Sequence, residues 1–88
     1  MKRKDLPKIV QEIQAGNEEA FAQLYHDFYT AFYYMALRLT QNEADAQDVV
    51  QDTFINIRNN INGLKNPDVV IVWMKHILMN RCKNMFRK

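Results

Sequence analysis

Cysteine, glycine and proline are scarce in this chain of 88 residues, which holds one Cys, two Gly and two Pro. The lone Cys82 excludes an intramolecular disulfide and any Cys-rich zinc framework, so packed side chains must hold the fold, and a reducing compartment is favoured. Long apolar runs are missing too. The longest, Ala31 to Leu37 and Val69 to Met74, fall far short of the roughly 18 residues of a membrane span. The basic start Met1-Lys2-Arg3-Lys4 has no apolar stretch and no small-residue cleavage site behind it, so it is not a secretory signal, and a cytoplasmic location is expected. At 48% hydrophobic residues, a chain this short supports one core and one domain, expected over residues 1–88.

The net charge is only +2, but its distribution is uneven. Residues 1–8 carry +3. Residues 9–57 hold eight acids against Arg38 alone, and residues 58–88 hold seven bases against Asp68 alone, so the middle is acidic and the end basic. Such a split implies two surfaces with partners of opposite charge.

The Gly and Pro residues fall where helix boundaries belong. Pro7 followed by Ile9, Val10 and Ile13, with Gly16 beyond, predicts a short helix from about 6 to 15. Asn17 is placed to cap a second helix with Glu18 and Glu19 in its first turn. Its apolar positions Phe21, Leu24, Tyr25, Phe28, Phe32, Met35, Ala36 and Leu39 keep helical spacing to about Thr40. Asn42, with Asp45 in the capping-box position, starts a third helix whose inner stripe is Ala46, Val49, Val50, Thr53, Phe54, Ile57 and Ile61. The turn-forming segment 62–68 reads as a loop, with Asp68 or Asn66 capping a last helix. Val69-Val70-Ile71-Val72 has strand propensity, yet Val70, Met74, Ile77, Leu78, Cys82 and Met85 continue at helical spacing, and a lone strand would have no partner. The expected class is therefore all-α, a compact bundle of about four helices.

Catalytic and cofactor chemistry finds no support. His26, His76 and Cys82 give no zinc ligand set, and His76 and Cys82 lie about 240° apart around one helix. The residue three before His26 is Gln23, not the Glu of a di-metal bundle, and no Gly-rich phosphate loop exists. The expectation is a non-enzyme with neither cofactor nor metal.

Two surface patterns remain. Asp45, Asp48 and Asp52 recur at i, i+3 and i+7 opposite the third helix's apolar stripe, with Gln51 and Ile55 beside them. Solvation alone explains many acidic faces, but here almost no base is interleaved for i, i+4 pairing, and Ile55 points outward. That suits docking of a basic helix. On the last helix, projection at 100° per residue gathers Trp73, His76, Asn80, Lys83, Asn84 and Arg87 on one face, with Lys75, Arg81 and Lys88 adding charge nearby. Cations neutralise phosphate, amides bond base edges and aromatic rings stack on unpaired bases, so this face suits nucleic acid. Trp73 reads equally as a half-buried seal on the core. Seven aromatics crowd the second helix, and Tyr29, Tyr33 and Tyr34 cannot all face inward.

The stretches Gly16-Asn17-Glu18-Glu19-Ala20-Phe21-Ala22-Gln23-Leu24-Tyr25, Ala44-Asp45-Ala46-Gln47-Asp48-Val49-Val50-Gln51-Asp52-Thr53-Phe54 and Trp73-Met74-Lys75-His76-Ile77-Leu78-Met79-Asn80 together resemble the bacterial RNA polymerase sigma factors of the extracytoplasmic-function type. The resemblance covers nearly the whole chain from about residue 8 and corresponds to the family's N-terminal domain, region 2. The middle block is its most specific part. It implies a helical domain that docks on the clamp coiled coil of the polymerase beta-prime subunit and recognises and helps melt the minus-ten promoter element. Carried over by position, Asp45, Asp48, Val49, Gln51, Asp52 and Ile55 would face polymerase. The 62–68 loop, above all Lys65 and Asn66, with Trp73, His76, Asn80, Lys83 and Arg87, would face the non-template strand of promoter DNA. An anti-sigma factor is a further partner class that the resemblance implies.

The chain departs from the family pattern at Asp52, where Glu is common, and at Ile71, Val72 and His76, around which the family often carries arginines. The C-terminal helix-turn-helix domain (region 4) that reads the minus-thirty-five element is absent from these residues, which would be about half of such a factor. Two rival readings stay open for the same residues. One is a helical protein-interaction module that regulates transcription through exposed aromatics such as Tyr33 and Tyr34, without promoter contact. The other is an ordinary helix-turn-helix repressor, for which the 62–68 connection is long.

Overall fold

The computed structural model describes residues 5–85. It holds four α-helices: α1 (Leu6–Gln14), α2 (Glu18–Thr40), α3 (Glu43–Asn60) and α4 (Val70–Met85). Between α3 and α4, the expected 62–68 loop is largely two 3-10 turns, Ile61–Gly63 and Pro67–Val69. No strand occurs among the described residues, and the β-branched run at 69–72 is helical from Val70 on. There the four-residue repeat Val70, Met74, Leu78, Cys82 forms one continuous buried stripe, which a strand's two-residue period would have split between two faces.

Each boundary has a local cause. Pro7 sits in the first turn of α1, where a missing N–H costs nothing. Gly16 follows with φ of 96°, a left-handed conformation that suits glycine. Asn17 Oδ1 accepts from the N–H groups of Glu19 and Ala20, so one side chain satisfies two of the free donors of α2. α2 ends less comfortably. Gln41 takes φ of 56° so that its N–H can donate to Leu37 O at 2.7 Å, in a place where Gly or Asn is usual. At the start of α3, Asn42 Oδ1 accepts from Asp45 N–H at 2.9 Å. The reciprocal half of the capping box does not form: the Asn42 N–H donates to Thr40 Oγ1 instead, as the short reach of Asp at this position allows.

α2 is the spine. Its 23 residues span about 35 Å at 1.5 Å each and set the 36 Å long axis of the molecule. The other three helices pack on it, α3 also packs on α4, and α1 packs against both 3-10 turns. One core results, filled by Leu6, Val10, Leu24, Phe32, Val50, Phe54, Ile57, Met74 and Leu78 among others. The buried Thr53 hydroxyl donates to Val49 O at 2.7 Å, so the one buried polar residue among the described residues is satisfied within its own helix. Of the stripe expected on α2, Leu24, Phe32 and Ala36 are fully enclosed, while Tyr25 and Leu39 emerge at its rims.

Candidate functional site

The outer face of α3 follows from its inner one. With Ala46, Val50, Thr53, Phe54 and Ile57 committed to the core, the 100° step turns Asp48, Gln51 and Ile55 to solvent. Ile55 is 59% exposed and forms a crest between two grooves. The first, 320 Å³, is lined by Asp52, Ile55, Asn56, Asn59 and Arg81. The second, 250 Å³, lies towards α2 and is lined by Phe21, Tyr25, Gln51, Phe54, Ile55 and Arg58.

Two expectations about this face need correction. Val49 is 1% exposed and belongs to the core. The stripe that includes Ala46, Val50 and Thr53 carries it inward, so its side chain is not offered at the surface of the domain. Asp52 is not an unpaired member of an acidic ridge: the Arg81 guanidinium of α4 lies 2.5 Å from its carboxylate. Arg81 is thereby withdrawn from the free cations of α4. A second cross-helix pair, Arg58 to Glu18 at 2.6 Å, bridges α3 to the start of α2, and the Arg58 guanidinium also lies 5.3 Å from the centre of the Phe21 ring. Asp48, Gln51 and Ile55 are exposed, and Asp45 is half-buried.

On α4, the residues expected on one face divide between two grooves. Trp73, half-buried against the core, and Asn80 line a groove of 430 Å³ together with Asn56 and Asn60 of α3 and Ile77, Arg81 and Asn84 of α4. Lys83 lines a different groove of 300 Å³, with Leu39, Met79, Cys82 and, again, Asn80. Asn80 therefore stands on the crest between the two. His76 is exposed. Arg87 lies outside the described residues. Lys65 and Asn66 are exposed in the connection between α3 and α4, where Asn66 Oδ1 accepts from Asp68 N–H at 3.0 Å and so caps the second 3-10 turn.

Sequence reasoning missed Asn56 and Asn60. Asn60 Nδ2 donates to Asn56 Oδ1 at 2.8 Å and to Asn56 O at 2.9 Å, so the pair presents a fixed amide edge to the groove. Their i, i+4 spacing was a signal, but only the packing of α4 beside them makes it part of a site.

The tyrosines form a ladder along α2. Tyr29 stacks on Tyr33 with centroids 6.3 Å apart, and Tyr25 packs on Phe54 at 4.7 Å. Only Tyr34, at 60%, is widely exposed. Burial, with smaller contributions from Glu43, Tyr29 and Tyr34, pushes the Tyr33 phenol above its ordinary value, so it stays neutral. Burial likewise raises the Cys82 thiol. Among the described residues no group of three or more His, Cys, Asp or Glu could hold a metal ion, and no helix is long and apolar enough to cross a membrane.

Residues 24–88 match the family model of sigma-70 region 2. The chain belongs to that family. The match takes in most of α2, all of α3 and α4 and both grooves flanking α4, while Glu18 and Phe21 at the start of α2 precede it. The domain is 24% identical over 83 residues to the ECF RNA polymerase sigma factor SigW of Bacillus subtilis, covering 94% of this chain and 44% of the relative. It is 25% identical over 77 residues to the RNA polymerase sigma-H factor of Pseudomonas aeruginosa, covering 88% of this chain and 40% of that protein. The domain thus spans less than half the length of these curated relatives. No solved structure matches it significantly.

Proposed function

We propose that this domain is the part of a transcription initiation sigma factor, of the extracytoplasmic-function type, that joins RNA polymerase core to promoter DNA. In this reading the α3 crest docks on the beta-prime clamp coiled coil, and the 61–69 connection with the outer face of α4 recognises and helps melt the minus-ten element. The observation that carries it is the groove beside Trp73, where an aromatic wall and the amides of Asn56, Asn60, Asn80 and Asn84 meet. An aromatic face supplies sequence-tolerant stacking and amides supply base-edge hydrogen bonds.

Melting needs no catalytic group. Extruding a base costs a few kcal/mol, and stacking returns about 1–3 kcal/mol per base, so capture of unpaired non-template bases can offset opening once polymerase holds the duplex. Docking supplies the remaining affinity by tethering. On the α3 side, Asp48 offers charge and Ile55 apolar area to a basic, amphipathic helix. An anti-sigma factor would act by covering either face.

Two measurements test this. Asp48→Lys is expected to abolish co-purification with the beta-prime coiled coil while the far-UV helix signal persists; unchanged binding removes the docking assignment. Titration with single-stranded DNA at low salt is expected to change Trp73 fluorescence. A folded sample with no response assigns Trp73 to the core alone and favours the protein-interaction reading.

A further inference from the structure

Gln14, the last residue of α1, reaches across to the connection between α3 and α4. Its Nε2 donates to Ile61 O at 2.8 Å and to Leu64 O at 2.9 Å. A carboxamide nitrogen carries two hydrogens, so both are committed, and one side chain ties down the beginning of the first 3-10 turn and the residue that follows it. Immediately downstream, Asn66 Oδ1 holds Asp68 N–H and Asn66 O accepts from Val69 N–H at 3.2 Å. Lys65 lies between these two fixed points with its side chain exposed.

We propose that Gln14 is a positioning residue for DNA capture: it fixes the backbone at Leu64 so that Lys65 and Asn66 meet an unpaired strand in one conformation. The proposal rests on the promoter-facing reading of this segment. The physical reason is the cost of ordering. A connection whose carbonyls turn to water instead samples more conformers, and binding must then supply the lost backbone entropy. Leu64 is half-buried against the core, and this apolar contact survives loss of the amide, so removing the two hydrogen bonds loosens the segment without releasing it.

Gln14→Leu keeps the bulk and removes both donors, and Gln14→Glu keeps the shape but places a carboxylate against two carbonyls. Each is compared with the parent chain for binding of fluorescent random-sequence single-stranded DNA across a salt series, for binding of the beta-prime coiled coil, and for amide hydrogen exchange. Expected are an affinity for DNA lowered about tenfold, the size of one to two neutral hydrogen bonds, and faster exchange at Leu64 and Val69, with coiled-coil binding unchanged. The salt dependence should also become shallower by about 0.7, the loss of one phosphate contact on a single strand. In a Lys65→Ala background, Gln14→Leu should cost little more, because the two act on the same contact. Additive losses, an unchanged salt slope, or a DNA defect matched by lost coiled-coil binding overturns the proposal. If Gln14→Leu does not fold, the same comparisons on Gln14→Glu decide. A parent chain that binds no DNA overturns the promoter reading itself, and unchanged exchange at Leu64 and Val69 in the variants then overturns the staple separately.

Discussion

Arg81 of α4 reaches the carboxylate of Asp52 on α3 at 2.5 Å, so the helix proposed to face DNA is tied by charge to the helix proposed to face polymerase. The pair is partly solvated, with side-chain exposures of 39% and 45%, which places its worth at about 1 kcal/mol or less. Its larger effect is on what Asp52 offers a partner, because a carboxylate already holding a guanidinium attracts a basic helix less strongly.

Arg81→Met is therefore expected to lower stability by no more than about 1 kcal/mol in urea denaturation, and to strengthen binding to the beta-prime coiled coil by unmasking Asp52. The gain should shrink as salt is raised. Weaker binding at low salt would instead make Arg81 itself a docking contact.

Substitution at Ile55 distinguishes the proposed docking from folding. Ile55 is 59% exposed, so Ile55→Arg should shift stability by no more than about 0.5 kcal/mol. Coiled-coil binding should fall at least about tenfold, since an added cation faces a basic partner and the apolar crest is lost. Calorimetry on both properties checks the split.

Leu24→Ala tests the core. The side chain is fully buried on the spine helix, and truncation should cost about 2–5 kcal/mol. Small domains have total stabilities near the lower end of about 5–15 kcal/mol. The variant should then be partly unfolded at room temperature, visible as lost helix signal and an early thermal midpoint.

Gln41→Gly is expected to stabilise. The left-handed conformation at φ of 56° costs a side-chain-bearing residue about 1 kcal/mol, and glycine removes that strain at the price of some unfolded-state entropy. A net gain of up to about 1 kcal/mol should appear in the urea midpoint with an unchanged slope.

Cys82 sets an alkaline limit. Burial raises its thiol above the ordinary 9.0, so above that pH the unfolded chain releases a proton that the folded protein retains. Its contribution to stability is complete below 9.0 and is lost as pH rises through the folded value. Urea denaturation of the parent and of Cys82→Ala at rising pH should show the parent losing stability more steeply, and thiol reagents should modify the folded parent slowly.

Much of this was legible without coordinates because it is local. Asn17, Asn42 and Asn66 each bind N–H groups within three residues, and the helical period alone assigns Val70, Met74, Leu78 and Cys82 to one buried stripe. The period also settles Val49. Its membership of the inner stripe agrees with its 1% exposure. The paired charges were not legible, because local i, i+4 counting cannot see Arg58 meet Glu18 across 40 residues or Arg81 meet Asp52 across 29.

The sequence by itself determined four helices, the Asn17 and Asn42 caps, the buried faces and an acidic middle followed by a basic end, since each depends on residues within a turn or two of one another. Only the tertiary structure decided what the charge split does at close range. Two of its cations bind two of its acids between helices, Gln14 fastens a segment 47 and 50 residues away, and the amides of α3 join Trp73 in one groove. Those relations depend on the distance and rotation between packed helices, and no spacing along a single helix encodes them.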